Sequence, residues 1–261
     1  MIRSFIHCFK SEWLKTRRTT AFWLVVSGGL FIPAILIAIR IINSNELVAI
    51  YKSNFFWENL FSKSWQIMAV FLLPMGVILS TSLLTQIEYR NNTWKQLHTT
   101  PQRYSLIFVT KLTVILVMML QFFVLFNLGI YLSGIIPALF YNNIHFSAQP
   151  IPYMRFLKVN VQFFIDCLPI VALQLLIALQ FKNFMISLGA GIGLLVASMF
   201  AVQWKYGYTI PYTYTTYNFL AMKTKELQNI IGVNIHVMAI SYFVIITVVS
   251  YVLYIYKSEK G

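Results

Sequence analysis

In Glu88-Tyr-Arg-Asn-Asn-Thr-Trp-Lys-Gln-Leu-His-Thr-Thr-Pro101-Gln-Arg-Tyr-Ser-Leu-Ile-Phe-Val-Thr-Lys111, a polar stretch joins two long apolar runs, Trp65–Ile87 and Leu106–Leu132. The polar part carries too many charges and amides to lie in lipid. Thr93 followed three residues later by Gln96 fits a capping box, which satisfies backbone donors at the start of a short helix. Pro101 biases Thr100 away from helix and ends it. Trp94, Leu97 and His98 stand three and four apart and so share one face. A short amphipathic helix held at a membrane surface between two spans predicts an all-α, polytopic membrane protein that touches something outside the bilayer.

Composition agrees. The 261 residues are 59% hydrophobic and 10% charged, against about 25% charged in soluble domains. The net charge of +13 would suggest nucleic acid in a soluble protein. Here the basic residues flank apolar runs, so membrane orientation and lipid headgroups account for them and nucleic acid is excluded as a partner. Cys8 and Cys167 stand in an N-terminal segment and a span, with no disulfide or metal spacing. His7, His98, His145 and His236 are scattered, with no H-E-x-x-H pattern. No catalytic group and no metal site is read from the sequence.

Six spans are expected, near 21–42, 65–87, 106–132, 161–179, 184–202 and 237–256, within one membrane domain covering 1–261. Residues 1–20 precede them. Ile2, Phe5, Ile6, Phe9 and Trp13 form an apolar stripe among basic residues, which predicts a helix in the headgroup plane, apolar side down. The first span is longer than a signal-peptide core and is expected to stay uncleaved. Lys111, near one end of the third span, is expected to snorkel to the interface. In the fifth span, Gly189, Gly193 and Ala197 have the small-residue spacing of close helix packing and are expected to pack spans within the chain. With the N-terminus inside, twelve Lys and Arg fall on the inner side and eight on the outer, which favours both termini in the cytoplasm.

The order of residues in the opening stretch resembles the first cytoplasmic loop of type-2 ATP-binding-cassette (ABC) transporter permeases. Glu88, the Thr93-Trp94-Lys95 helix, Pro101, Arg103 and Lys111 carry the likeness, and Glu12 and Lys15 match a Glu-x-x-Lys core in the helix before the first span. The resemblance implies a permease subunit in a bacterial cytoplasmic membrane, paired with a second permease copy as a homo- or heterodimer. It also implies a separate ABC ATPase subunit, with Glu88, Thr93, Trp94, Lys95, Leu97, Pro101 and Arg103 as its docking element. The chain has no G-x-x-x-x-G-K-[ST] loop, so no cofactor is expected in it; ATP and Mg belong to the partner. The importer-type Glu-Ala-Ala signature is absent, which within that family points to an exporter.

Asp166 is the one acid within an expected span. Such charges face a bundle interior or water and mark functional sites by default, here the translocation path. The competing reading puts it a few residues from the outer end of its helix, reaching for headgroups. Tyr206, Tyr208, Tyr212, Tyr214 and Tyr217 read as an interfacial aromatic belt rather than an outer gate. A membrane-embedded enzyme would need paired catalytic groups, and Asp166 has no evident His, Ser or Glu partner in the sequence. A non-transporting assembly or sensor subunit with the permease fold is the other alternative.

Overall fold

The computed structural model describes residues 2–43, 47–90, 103–141, 149–181, 183–223 and 234–260. The described residues are helical with no strand: α1 Ile2–Arg17, α2 Thr20–Ile42, α3 Leu47–Lys52, α4 Phe56–Ile67, α5 Leu73–Arg90, α6 Tyr104–Phe140, α7 Tyr153–Gln180, α8 Phe184–Ala201, α9 Tyr214–Lys223 and α10 Ile235–Lys260. Met68–Leu72 is a π-helical turn that joins α4 to α5 into one rod. Six of these segments are long and apolar enough to cross a membrane: Thr20–Ile42, Phe56–Ile87, Tyr104–Phe140, Tyr153–Gln180, Phe184–Ala201 and Ile235–Tyr256. The protein is thus an all-α polytopic membrane protein. We call the end of the bundle that carries α1, the start of α6 and the end of α7 the near end, and the opposite end the far end.

Helix limits differ from the apolar runs in instructive ways. The second span begins at Phe56, the third runs on to Phe140 and the fourth begins at Tyr153. At 1.5 Å per residue, α6 is about 55 Å long and outreaches a hydrocarbon core of about 30 Å. Its polar and small residues past Leu132 keep their helix through contacts at the far end. Arg40 Nη1 donates to the Ser133 carbonyl (3.0 Å), and the Tyr51 hydroxyl donates to that of Gly134 (2.7 Å). The Arg40 guanidinium also lies over the Phe56 ring at 5.3 Å, so α3 and α4 cap the end of α6. Lower down, α2 lies along α6 so closely that a Cβ at Gly129 would meet Pro33 Cγ at 2.7 Å.

The core sits where α4, α6 and α7 meet. Trp65 is fully buried. Its ring stacks on Phe163 at 3.9 Å and meets Phe126 edge-on at 5.0 Å. Aromatic pairs in these geometries are worth about 0.5–1.5 kcal/mol each beyond area burial. Around this centre α8 packs on α5 and α7, and α10 packs on α7.

Two expectations about polar surfaces are corrected here. The face that α1 buries is Cys8, Glu12 and Thr16, spaced four apart, and α1 packs on α6. Ile6 remains exposed, while Phe9 and Trp13 pack partly against the core. The helix therefore turns a polar stripe to protein, with Phe9 and Trp13 of the apolar stripe packed partly beside it. Lys111 does not snorkel: it is buried in α6, because α6 continues for two turns beyond it to Tyr104 and α1 covers that part of the bundle.

Candidate functional site

Asp166 lies in the middle of α7, thirteen residues from Tyr153 and fourteen from Gln180, about 20 Å from either end. It is not near a helix terminus, because α7 begins eight residues before the apolar run does. Its side chain is fully buried within the protein. Two donors satisfy it. Asn218 Nδ2 donates to Oδ2 at 2.7 Å, and His236 Nδ1 donates to Oδ1 at 2.7 Å. His236 supplies the countercharge when its ring carries both protons. The partner that the sequence left unseen is therefore a histidine 70 positions away, together with an asparagine 52 positions away.

Local structure explains how these residues arrive. After α8, the chain makes two 3₁₀ turns, Gly207–Thr209 and Pro211–Thr213, before α9. Side chains from the same segment meet backbone carbonyls that this irregular stretch leaves outside helices. The Thr213 hydroxyl donates to the Gly207 carbonyl (2.9 Å), and the Tyr217 hydroxyl donates to that of Val202 (3.0 Å). α9 packs against α7 and against the π turn, which places Asn218 over Asp166. Asn234 then caps α10, its Oδ1 accepting from the backbone N–H of His236 at 3.0 Å, and so sets the position of the imidazole.

The tyrosines of this segment do not form an interfacial belt as a set. Tyr212, Tyr214 and Tyr217 are buried within the chain, while Tyr206 is exposed beside Trp204. Burial pushes the Tyr212 and Tyr214 phenols above the ordinary tyrosine value, with Tyr242 and Asp166 adding to the effect at Tyr214. Among the described residues the Tyr212 and Tyr214 hydroxyls have no hydrogen-bond partner. The site is thus a compact polar cluster of Asp166, Asn218, His236 and Tyr214 beside a π turn, a helical irregularity frequent at functional sites.

A second polar contact ties α5, α7 and α8. Gln174 Nε2 donates to Ser82 Oγ (2.7 Å) and to the Ser187 carbonyl (2.9 Å). A Cβ at Gly191 would meet Gln174 Oε1 at 2.5 Å. The packed face of α8 is Ser187, Gly191, Leu195 and Ser198. Gly189, Gly193 and Ala197 face away from the chain and are exposed, and a Cβ at either glycine meets nothing within 4 Å. They do not pack spans within this chain: two residues of offset turn a helix by about 200°, onto its opposite face.

At the near end, Arg103 is exposed and stands just before α6. Lys15 pairs with Glu12 at 2.6 Å, giving the Glu-x-x-Lys core a physical form. Thr93, Trp94, Lys95, Leu97 and Pro101 lie outside the described residues, and the Glu88 side chain does too. Between α2, α5 and α6 is an apolar cavity of about 280 Å³ that reaches Gly28, Gly76, Ser80, Met119 and Phe122. Among the described residues no group of His, Cys, Asp and Glu could hold a metal ion.

The chain matches a family model described as "ABC-2 family transporter protein" over residues 8–202, about three quarters of its length. No curated protein and no solved structure matches it.

Proposed function

The chain belongs to the ABC-2 family of transporter proteins, and from that premise we propose that it is the permease subunit of an exporter driven by a separate ABC ATPase. The match over residues 8–202 is the observation that carries this reading. In it, two permease copies pair, ATP and Mg bind only to the ATPase subunits, and the near end faces the cytoplasm of a bacterial cell. The docking element is the loop from Glu88 to Arg103, with Trp94 and Leu97 seated in a groove of the ATPase and Lys95 and Arg103 at its rim. The buried Asp166–Asn218–His236 cluster then belongs to the outer half of the path, where it fastens the segment before α10 to α7.

A buried interfacial Trp is a frequent hot spot, worth about 2 kcal/mol or more on truncation. Rim charges contribute about 1 kcal/mol or less. Pull-down of the co-expressed ATPase from detergent tests the reading. Trp94→Ala with Leu97→Ala should reduce recovery strongly, and Lys95→Ala only slightly. Equal recovery from all variants would remove the loop as the docking element.

A further inference from the structure

Two long helices, α6 and α7, leave a crevice of about 590 Å³ between them. Small-molecule sites span about 300–1,000 Å³. The side open to the surroundings is formed by Val124, Leu128, Leu157 and Val161, all half exposed or more. These residues are apolar and lie on the outer surface of two spanning helices, so in a membrane the crevice opens to lipid. One polar feature crosses it. Asn127 and Asn160 donate to each other's Oδ1, both at 2.9 Å, and each donates again to its own helix, to the Phe123 carbonyl (2.8 Å) and the Phe156 carbonyl (2.7 Å). Both amides thus have all their donors engaged, and the crevice offers no N–H from them to a polar guest.

The mouth has a different chemistry. Trp57 stacks on Tyr131 at 6.0 Å, and Tyr153 is exposed above them. Such rings sit at headgroup level in membrane proteins. Lys158 is exposed and stands three residues before the crevice-lining Val161, on the same side of α7, and Arg155 is held by Glu58 at 2.5 Å. The apolar cleft below and the aromatic and cationic rim above match one phospholipid, an acyl chain under a phosphate.

We propose that the α6–α7 crevice binds a single phospholipid from the far-end leaflet, with an acyl chain against Val124 and Val161 and its phosphate beside Lys158. The lipid completes a contact between two helices that the Asn127–Asn160 bridge and the Phe123–Phe164 ring pair make only in part, and its anionic headgroup gives the site its preference.

The full chain, purified in detergent with an equimolar mixture of dioleoyl phosphatidylglycerol and dioleoyl phosphatidylcholine, is read by native mass spectrometry. The wild type should retain one phospholipid per chain, enriched in phosphatidylglycerol. Val124→Trp with Val161→Trp fills the crevice from its open side and should lower retention roughly tenfold, equivalent to about 1.4 kcal/mol. Val248→Trp, on the exposed face of α10, should retain lipid as the wild type does. Lys158→Glu should abolish the enrichment in phosphatidylglycerol. Unchanged retention in the filled variant, with unfolding temperature equal to wild type, overturns the site. An unchanged lipid ratio in Lys158→Glu overturns the headgroup contact. Disulfide crosslinking between chains through Leu128→Cys in native membranes overturns it in favour of a second copy seated in the crevice.

Discussion

Removing His236 should cost more than removing the charge it balances, and removing both should cost less than removing His236 alone. In His236→Ala the carboxylate of Asp166, fully buried in the middle of α7, keeps only Asn218. Breaking a buried ion pair from one side costs about 3–5 kcal/mol. Polar pairs between membrane helices average nearer 0.6 kcal/mol, because the unfolded chain in lipid finds other partners. The His236 ring is 21% exposed, so water softens the loss, and about 3 kcal/mol is the expected value. Asp166→Asn is isosteric: its Oδ1 still accepts from Asn218 and its amide donates to a neutral imidazole, for a loss of about 1 kcal/mol or less. The double variant leaves no buried charge and should recover about half of the His236→Ala loss. Thermal unfolding in detergent reads this as roughly 2–4 °C per kcal/mol for a chain of this size. Additive losses in the double variant, or a His236→Ala loss under about 1 kcal/mol, would refute a charge-balanced pair and leave only a hydrogen bond.

Three further outcomes are expected. Gly191→Ala should lower stability by about 1–3 kcal/mol through overpacking against Gln174 and Ile78, while Gly193→Ala, which meets nothing, should be neutral in the same unfolding assay. Cysteines at position 147 and at the exposed position 205 should react with a membrane-impermeant thiol reagent from outside intact cells and one at 96 should not, whereas position 215 is unsuitable because Thr215 is fully buried; labelling at 96 would reverse the orientation. Tyr212 and Tyr214 have raised pKa values in the folded state, so the stability they add is fully present below the unfolded phenol value and is lost as pH rises beyond it. Stability in detergent should therefore hold to about pH 10 and fall above it, less steeply in Tyr212→Phe.

The six spans were legible because lipid demands long apolar runs, and the run lengths alone identify them. The ends of α6 and α7 were not, because hydropathy marks the part that faces hydrocarbon. Ser133 and Gly134 look like helix breakers, yet their carbonyls are held by Arg40 and Tyr51 from α2 and α3. Gly189 and Gly193 have the right period for packing but the same period runs through Ser187, Gly191 and Leu195. Spacing fixes a face and tertiary contact decides which face is used. The role of Asp166 was half visible: a lone acid in a span signals a site, but no local pattern links residues 166, 218 and 236. An unusually short fifth span followed by Gly-Tyr-Thr-Ile-Pro, a stretch unable to continue a helix, was the available hint that the chain stays packed against the bundle there.

The wide spacing of that cluster also gives the protein a history. Asp166 is made first, and its partners follow 52 and 70 residues later. Synthesis proceeds at about 5–20 residues per second, so the histidine arrives roughly 4–14 s after the acid. During that interval α7 carries an unpaired acid at its centre, a placement that opposes insertion by about 2.5–3.5 kcal/mol. Neither α9 nor α10 can relieve it until the C-terminal quarter of the chain has emerged. A nascent or truncated chain ending before residue 218 therefore holds that acid without either of its two donors. The start of α10 supplies the second donor, so the contact between α7, α9 and α10 can close only after all three helices have been made.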